Sequence, residues 1–307
     1  MMQHTIAVVG SSNTDMIVQL PRMPRPGETL LGGRFQSAAG GKGANQAVAA
    51  ARAGGHVSLI ARVGQDSFGD QAIAGLVSGG IDVSQVTRDA RSPSGVALIF
   101  VAHNGENSIA VAGGANARLS PADISKARPL IRQAKALLMQ LETPLATVEA
   151  AARIATKSGT LVILNPAPAR PLTDDLLRRV SILTPNESEA ELLTGVRIHG
   201  AASEAKAAGK LLRRGVQAVV ITLGARGALV ASEEGTRFVK GFKVKTVDST
   251  AAGDTFNGAL AVALTEGRRL DEAVLFANAA AALSVTRVGA QPSAPTRSAI
   301  EKFLRTR

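Results

Sequence analysis

The chain has 307 residues, 45% of them hydrophobic, which is enough to bury a large core and suits one principal α/β domain over 1–307 carrying small insertions. It has no cysteine, which excludes disulfides, thiolate catalysis and cysteine-based zinc sites, and its four histidines (His4, His56, His103, His199) show no close ligand-like spacing. The net charge of +11 comes from 35 basic and 24 acidic residues, but pairs such as Arg178-Arg179, Arg213-Arg214 and Arg268-Arg269 scatter over expected helices, and eight phenylalanines are the whole aromatic complement. A stacking platform for bases is hard to build from that set, so no nucleic-acid partner is expected, and the charge suits small anions such as nucleotides.

The pattern along the chain is one of short β-rich apolar runs (6–9, 57–60, 136–139, 161–164, 182–183, 218–222) separated by segments of helical periodicity, which reads as βαβ units around a mostly parallel sheet. Met1-Met2-Gln3-His4 leads straight into the first run without a signal-peptide pattern. The longest uninterrupted apolar run, 96–102, is far short of the roughly 20 residues of a membrane span, so a cytoplasmic protein with no membrane partner is expected. Residues 16–38 are rich in Pro and Gly between strand-like pieces, and 94–111 reads as two strands around the turn Asn104-Gly105. Both look like β insertions, and a small sheet built from them needs its apolar surface covered. Ser120-Pro121 and Thr143-Pro144 each place a hydroxyl before a first-turn proline, which predicts helices over 121–134 and 144–157.

Two segments carry chemistry. In Gly40-Gly41-Lys42-Gly43-Ala44-Asn45-Gln46-Ala47 the loop is not a nucleotide P-loop, because Gln36 stands where the first glycine belongs and Gly43 where a magnesium-binding hydroxyl belongs. Ala44, Ala47, Val48 and Ala51 form an apolar stripe, so the loop feeds a helix whose amino end is expected to lie open to a polar ligand. Lys42 and Asn45 can donate to hydroxyl oxygens, and Asn13 and Asp15 can accept from hydroxyls, a set that suits a vicinal diol. In the second segment, 248–258, the apolar face Phe256, Ala259, Leu260, Ala263 and Leu264 puts Ala251 to Asp254 at a helix amino end. Small residues there leave first-turn amides for an anion such as a transferring phosphoryl group, and Asp254 can accept the proton of an attacking hydroxyl.

The first of these segments together with Asp248-Ser249-Thr250-Ala251-Ala252-Gly253-Asp254 resembles the two signatures of the ribokinase family of carbohydrate kinases, of phosphofructokinase B type. The resemblance runs in order through 9–15, 95–101, 137–142, 165–169 and 289–293, nearly the whole chain. It implies a doubly wound α/β fold with a mostly parallel sheet flanked by helices and a small β-sheet lid from about 13–40 and 94–112, paired with a second lid in a homodimer. The implied reaction is ATP-dependent phosphorylation of D-ribose at O5, with deoxyribose, another sugar or a nucleoside as alternative acceptors. A non-catalytic sugar sensor is a further reading, against which the retained base and anion turn speak.

By that similarity Asn13, Thr14, Asp15, Gly41, Lys42, Gly43, Ala44, Asn45 and Glu142 hold the sugar, Ile109 covers it, and Asp254 deprotonates its 5-hydroxyl beside an anion hole at Ala251, Ala252 and Gly253. Asn186 and Glu189 organise Mg2+ and the phosphates of ATP through water. The nucleotide loop is Thr222-Leu223-Gly224-Ala225-Arg226-Gly227, with Asn278 on the adenine side. Asp248, carbonyls near Thr250, Ser284, Arg287 and Gly289, and the oxygens of Ser293 resemble a monovalent-cation site whose hard ligands suit K+. Two departures stand out: Ala251 sits where many wider-family members have Gly, and Thr250 where a larger apolar residue is common.

Overall fold

The computed structural model describes residues 5–306, so Met1-Met2-Gln3-His4, expected to lead straight into the first strand, lies outside the described residues. The first half of the chain runs β1 (Thr5–Val9), β2 (Asn13–Leu20), β3 (Arg34–Gly40), α1 (Lys42–Arg52), β4 (His56–Gly64), α2 (Ser67–Ser78), β5 (Asp82–Asp89), β6 (Gly95–Ala102), β7 (Asn107–Ala112), α3 (Pro121–Lys126), α4 (Arg128–Gln133), β8 (Ala136–Met139) and α5 (Leu145–Lys157). The second runs β9 (Leu161–Leu164), α6 (Asp174–Leu177), β10 (Ile182–Leu183), α7 (Glu187–Thr194), α8 (Ala201–Arg213), β11 (Ala218–Thr222), β12 (Gly227–Ser232), β13 (Gly235–Lys240), α9 (Ala252–Thr265), α10 (Leu270–Ser284) and α11 (Arg297–Arg305).

Nine strands form one sheet in the order β13-β12-β11-β10-β9-β8-β1-β4-β5, parallel except at one edge, where β12 runs antiparallel to both β11 and β13. Side chains alternate across it. Ile6 and Val8 of β1 join the core beneath α1, α9 and α10, whereas Ala7 and Val9 join the core beneath α3, α5 and α8. Burial on both faces is why these strands read as unbroken apolar runs. Chain order reverses at β1, and the loops that leave the carboxyl ends of β1, β8, β9, β10 and β11 converge there, where open parallel sheets place their ligands.

The two inserted segments form a second, four-stranded sheet in the order β3-β2-β6-β7, with β3 and β7 at its edges. Cross-strand register divides it into two faces. Asn13, Asp15 and Ile17 pair with Gly95, Ala97 and Ile99, and Ile99 and Ala97 pair with Ile109 and Val111, so Ile109 and Asp15 share a face. Thr14, Leu98 and Phe35 belong to the other. Leu31 (84% exposed), Phe35, Leu98, Ile109 and Val111 are open to solvent, so the sheet carries uncovered apolar surface on both faces.

Two local expectations differ. The helix expected over 121–134 is broken at Ala127 into α3 and α4, because Pro129 has no N–H to continue the ladder. Ser120 caps α3 in a reciprocal box with Asp123, but Thr143 does not cap α5: Pro144 holds the cap position and Thr143 Oγ1 has no partner among the described residues. The box needs an acid or amide three residues on, and Ala146 supplies neither.

Candidate active site

Gly41, at φ 87°, turns the chain from β3 into α1, a conformation that favours glycine. The amino end of α1 is not open as expected. Ser11, in the loop after β1, accepts from Gly43 N (3.3 Å) through its hydroxyl and from Ala44 N (2.8 Å) through its carbonyl, and Lys42 N donates to Glu142 Oε2 at 2.9 Å. Ser11 Oγ also donates to that oxygen at 2.5 Å. Glu142, which leaves β8, is thereby fixed against α1 by two donors.

The turn before α9 puts Ala251 at φ 56° and ψ 20°, left-handed backbone that costs a non-glycine residue roughly 1–2 kcal/mol. Its effect is to aim the first amides of α9 outward. Ala252 N is taken by the Ser249 carbonyl at 3.2 Å, whereas the amides of Gly253 and Asp254 have no acceptor among the described residues. Within the expected anion turn 251–254, the Ala252 amide is therefore already engaged. Asp254 itself is 5% exposed and accepts from Asn45 Nδ2 at 3.0 Å and Gln46 Nε2 at 2.9 Å. Burial raises its pKa; Lys42 and the two amides pull the other way, and Glu142 adds to the rise. A carboxylate so placed can accept a proton from a hydroxyl brought against it.

Lys42 lines a cavity of about 200 Å³ together with Glu189, Asn186, Gly253 and Asp254, so it stands on the anion side as well as beside the diol set. Burial opposes its charge, but Asp254, Glu142 and Glu189 outweigh burial and hold the ammonium above its ordinary pKa. Asn186 and Glu189 form a capping box on α7, each side chain bonded to the other's amide. Burial raises the Glu189 carboxyl, with the Asn186 amide and Lys42 opposing and Asp254 adding. The small cavity shares Thr222, Ser249, Ala252 and Gly253 with a larger one of about 590 Å³, lined also by Gly224, Ala225, Gly227 and Asn278. Two residues of the expected nucleotide loop do not line it: Leu223 is buried, and Arg226 is tied to Glu187 and Glu204.

On the diol side the amide polarities are reversed from the expectation. Asn13 Oδ1 accepts from Asn116 Nδ2 at 2.7 Å, so Asn13 faces a ligand with its donor. Asn45 spends a donor on Asp254 and leaves Oδ1 buried without a partner, which makes it an acceptor. Thr14 points to the opposite face of β2 from Asn13 and Asp15, so only its main chain can serve. Asp15 lies over Gly40, where any Cβ would collide with its carboxylate. Burial first, then Glu142 and Asp254, push the Asp15 carboxyl up to about 6.

That shift has a sign. Between 3.8 and about 6 the folded chain holds a proton on Asp15 that the unfolded chain has released, so stability falls as pH rises, and above that range the charge costs up to about 3 kcal/mol. Asp15→Asn is expected to raise Tm at pH 8 by several degrees, a gain that shrinks towards pH 4, when followed by far-UV circular dichroism. A gain of the same size at both ends would refute the buried charge as its cause.

Asp248 accepts from Thr250 N and Oγ1 through Oδ1 and from Gly289 N through Oδ2. Burial pushes this carboxyl up, but those bonds together hold it below its ordinary range. Val247 N and Asp248 N donate to the Val285 carbonyl, which joins this loop to Ser284 and Arg287; Ser293 bonds locally to Ala290. Of the expected cation ligands, Thr250 and Gly289 thus contact Asp248 directly, and Ser284 adjoins the Val285 carbonyl that binds this loop. Ser11, Gln46, Asn116, Gln140, Asn165, Thr184 and Asn257, which the motifs alone do not mark as functional, are buried polar residues bonded around the site. Their signal was polarity in otherwise apolar company.

The model of the pfkB family carbohydrate kinases matches residues 3–297. The chain belongs to this family. This pfkB-family chain is 48% identical over 303 residues to the ribokinase of Haemophilus influenzae, across 99% of each chain. It is 39% identical over 300 residues to the deoxyribokinase of Salmonella typhi, across 97% of this chain and 98% of that one. The structure of Arabidopsis thaliana ribokinase complexed with ribose and ATP superposes with a TM-score of 0.92 at 34% identity, covering 99% of both chains.

Proposed function

We propose that this protein transfers the γ-phosphoryl group of ATP to the 5-hydroxyl of D-ribose, giving D-ribose 5-phosphate and ADP, with Asp254 as the general base. The observation that carries the reading is Asp254 itself: a buried carboxylate in the first turn of α9, where a small polar cavity opens into a nucleotide-sized one. The relatives named ribokinase support ribose as acceptor. The Salmonella relative supports deoxyribose as the second reading.

On this reading Asn13, Asp15, Asn45 and Glu142 hold the sugar, with the main chain of 14, 41, 43 and 44 and the Ile109 side chain enclosing it. Asp254 takes the O5 proton as O5 attacks the γ-phosphorus in line and the bond to ADP breaks. Lys42, the free amides of Gly253 and Asp254 and the helix dipole meet the charge of the transferring group. The oxygen donors of Asn186 and Glu189 suit Mg2+ held with ATP through water, and that ion neutralises phosphate charge when bound. Release of ADP, coupled to an indicator reaction, across pentoses, hexoses and nucleosides tests the assignment. Ribose is expected to be the fastest acceptor; turnover on a nucleoside with none on ribose would overturn it.

Asp248, with carbonyls of Thr250, Ser284, Arg287 and Gly289 and the oxygens of Ser293, is proposed to hold K+ beside the anion turn. Potassium is then expected to activate without touching either substrate, and sodium, being smaller, to activate less. Equal turnover in potassium, sodium and a bulky organic cation at matched ionic strength counts against the site.

The small sheet is proposed to act as a lid that pairs with that of a second copy in a homodimer. Exposed Phe35, Leu98, Ile109 and Val111 and the free edges β3 and β7 support this reading. Light scattering at micromolar concentration is expected to report twice the 31.5 kDa chain mass. A fully active monomer would refute the pairing and leave the kinase reading standing. Among the described residues no helix is long and apolar enough to cross a membrane; the proposed use of ATP suits a place in the cytoplasm, where ATP is supplied.

A further inference from the structure

Asp254 receives two side-chain amides, and only Asn45 is among the residues proposed to touch the sugar. The other, Gln46, donates through Nε2 to Asp254 Oδ1 at 2.9 Å and to Asn165 Oδ1 at 3.1 Å, while its Oε1 accepts from Gln140 Nε2 at 2.6 Å. Asn165 Nδ2 donates to the main-chain carbonyl of Thr184 at 3.1 Å. A carbonyl oxygen can only accept, so Thr184 decides which end of the Asn165 amide faces Gln46, and Asn165 in turn decides how Gln46 lies. Turned over, Gln46 would set an oxygen against two acceptors. Gln46, Gln140 and Asn165 are 0%, 1% and 7% exposed, so solvent does not compensate a wrong orientation.

Thr184 also acts through its hydroxyl. Oγ1 donates to Asn257 Oδ1 at 2.6 Å, and Asn257 Nδ2 donates to the Gly253 carbonyl at 2.8 Å. One residue after β10 is thereby linked both to the carboxylate and to the turn that carries the free amides.

We propose that Gln46 is the positioning residue of the base: oriented by Gln140 and by the Asn165–Thr184 pair, it fixes the plane of the Asp254 carboxylate towards the acceptor hydroxyl, while Thr184 and Asn257 hold the anion turn in register with it. The inference rests on Asp254 being the base. One donor on one oxygen leaves the carboxylate free to swing about its terminal bond. Donors on both oxygens, from adjacent residues of α1, do not. The charged groups facing Asp254 are Lys42 from α1, Glu142 after β8, Asp15 on β2 and Glu189 on α7. Against burial, Gln46 favours the ionised form, so its loss drives the titration of the base upward.

The test compares wild type with Gln46→Met, which keeps length without the amide, Gln140→Met, which frees Gln46 but touches neither Asp254 nor substrate, and Thr184→Val. Turnover and KM are measured against pH, and ribose binding by calorimetry. Gln46→Met is expected to lose about 10–100-fold in kcat with ribose affinity within about threefold of wild type, and the acid limb of its kcat profile moves to higher pH. Gln140→Met moves both in the same direction by less. Thr184→Val lowers kcat and leaves the acid limb in place, because its carbonyl still orients Asn165. An unmoved profile in the glutamine variants, or ribose affinity lost in step with kcat, overturns the proposal; should Gln46→Met fail to fold, Gln140→Met decides. Wild type inactive on ribose would instead sink the function reading, whereas an active wild type with unaltered variants sinks this inference alone.

Discussion

Asp254→Asn is expected to lower turnover by about 10²–10⁴-fold while ribose still binds. The substitution keeps the shape of the side chain and removes the proton acceptor. Asn45 and Gln46 both donate to Asp254, so the new amide must turn its NH2 towards one of them and lose about one hydrogen bond, worth roughly 1 kcal/mol. That loss is offset by relief of a charge that burial already disfavours, as the raised pKa of Asp254 indicates. The fold should therefore persist. Steady-state kinetics beside calorimetric titration with ribose separates the effects; turnover near that of wild type would remove Asp254 from the role of base.

Gly258→Val is expected to damage both the fold and the site. A Cβ on Gly258 would lie 2.7 Å from Ala49 Cβ, from Ala50 N and from the Gln46 carbonyl oxygen, and two of those three are main-chain atoms of α1 that cannot swing aside. Helices α1 and α9 must separate. Overpacking of this kind costs about 1–3 kcal/mol, and a Tm lower by up to about 10 °C follows for a chain of this size. Because α1 carries Asn45 and Gln46 and α9 carries Asp254, turnover should fall further than stability alone explains. Thermal unfolding by circular dichroism and kcat at 25 °C check the two effects, and an unchanged Tm would mean that the helices adjust without cost.

What was legible in the sequence is what local pattern controls. Strands of the large sheet stood out because burial on both faces makes 136–139 and 161–164 uninterrupted apolar runs. The start of α9 was readable because small residues precede an apolar stripe. Pro129 stands in plain view, yet a start signal at Ser120-Pro121 says nothing of where the helix must break. The site was legible in its residue types and not in its polarity. Whether Asn13 and Asn45 present a donor or an acceptor depends on Asn116 and Asp254, which lie 103 and 209 positions away. Gln46 lies inside the 40–47 motif without a local sign of its role, since its partners Asn165 and Asp254 are distant in the chain and only the closed fold brings them within reach.

The small sheet joins the body through a single narrow attachment: β2 and β6 begin there, at Asn13 and Gly95, and β3 and β7 end there, at Gly40 and Ala112. Asp15 and Ile109 ride on this appendage, whereas Lys42, Glu189 and Asp254 belong to helices of the body. On the proposed roles, recognition of the acceptor is therefore shared between this appendage and the body, which supplies Asn45 and Glu142, whereas transfer of the phosphoryl group rests on the body alone. Acceptor preference can drift by rewriting two short insertions while the transfer machinery stays untouched. Grafting 13–40 and 95–112 from the Salmonella typhi deoxyribokinase would show how much of the choice between pentoses the appendage carries.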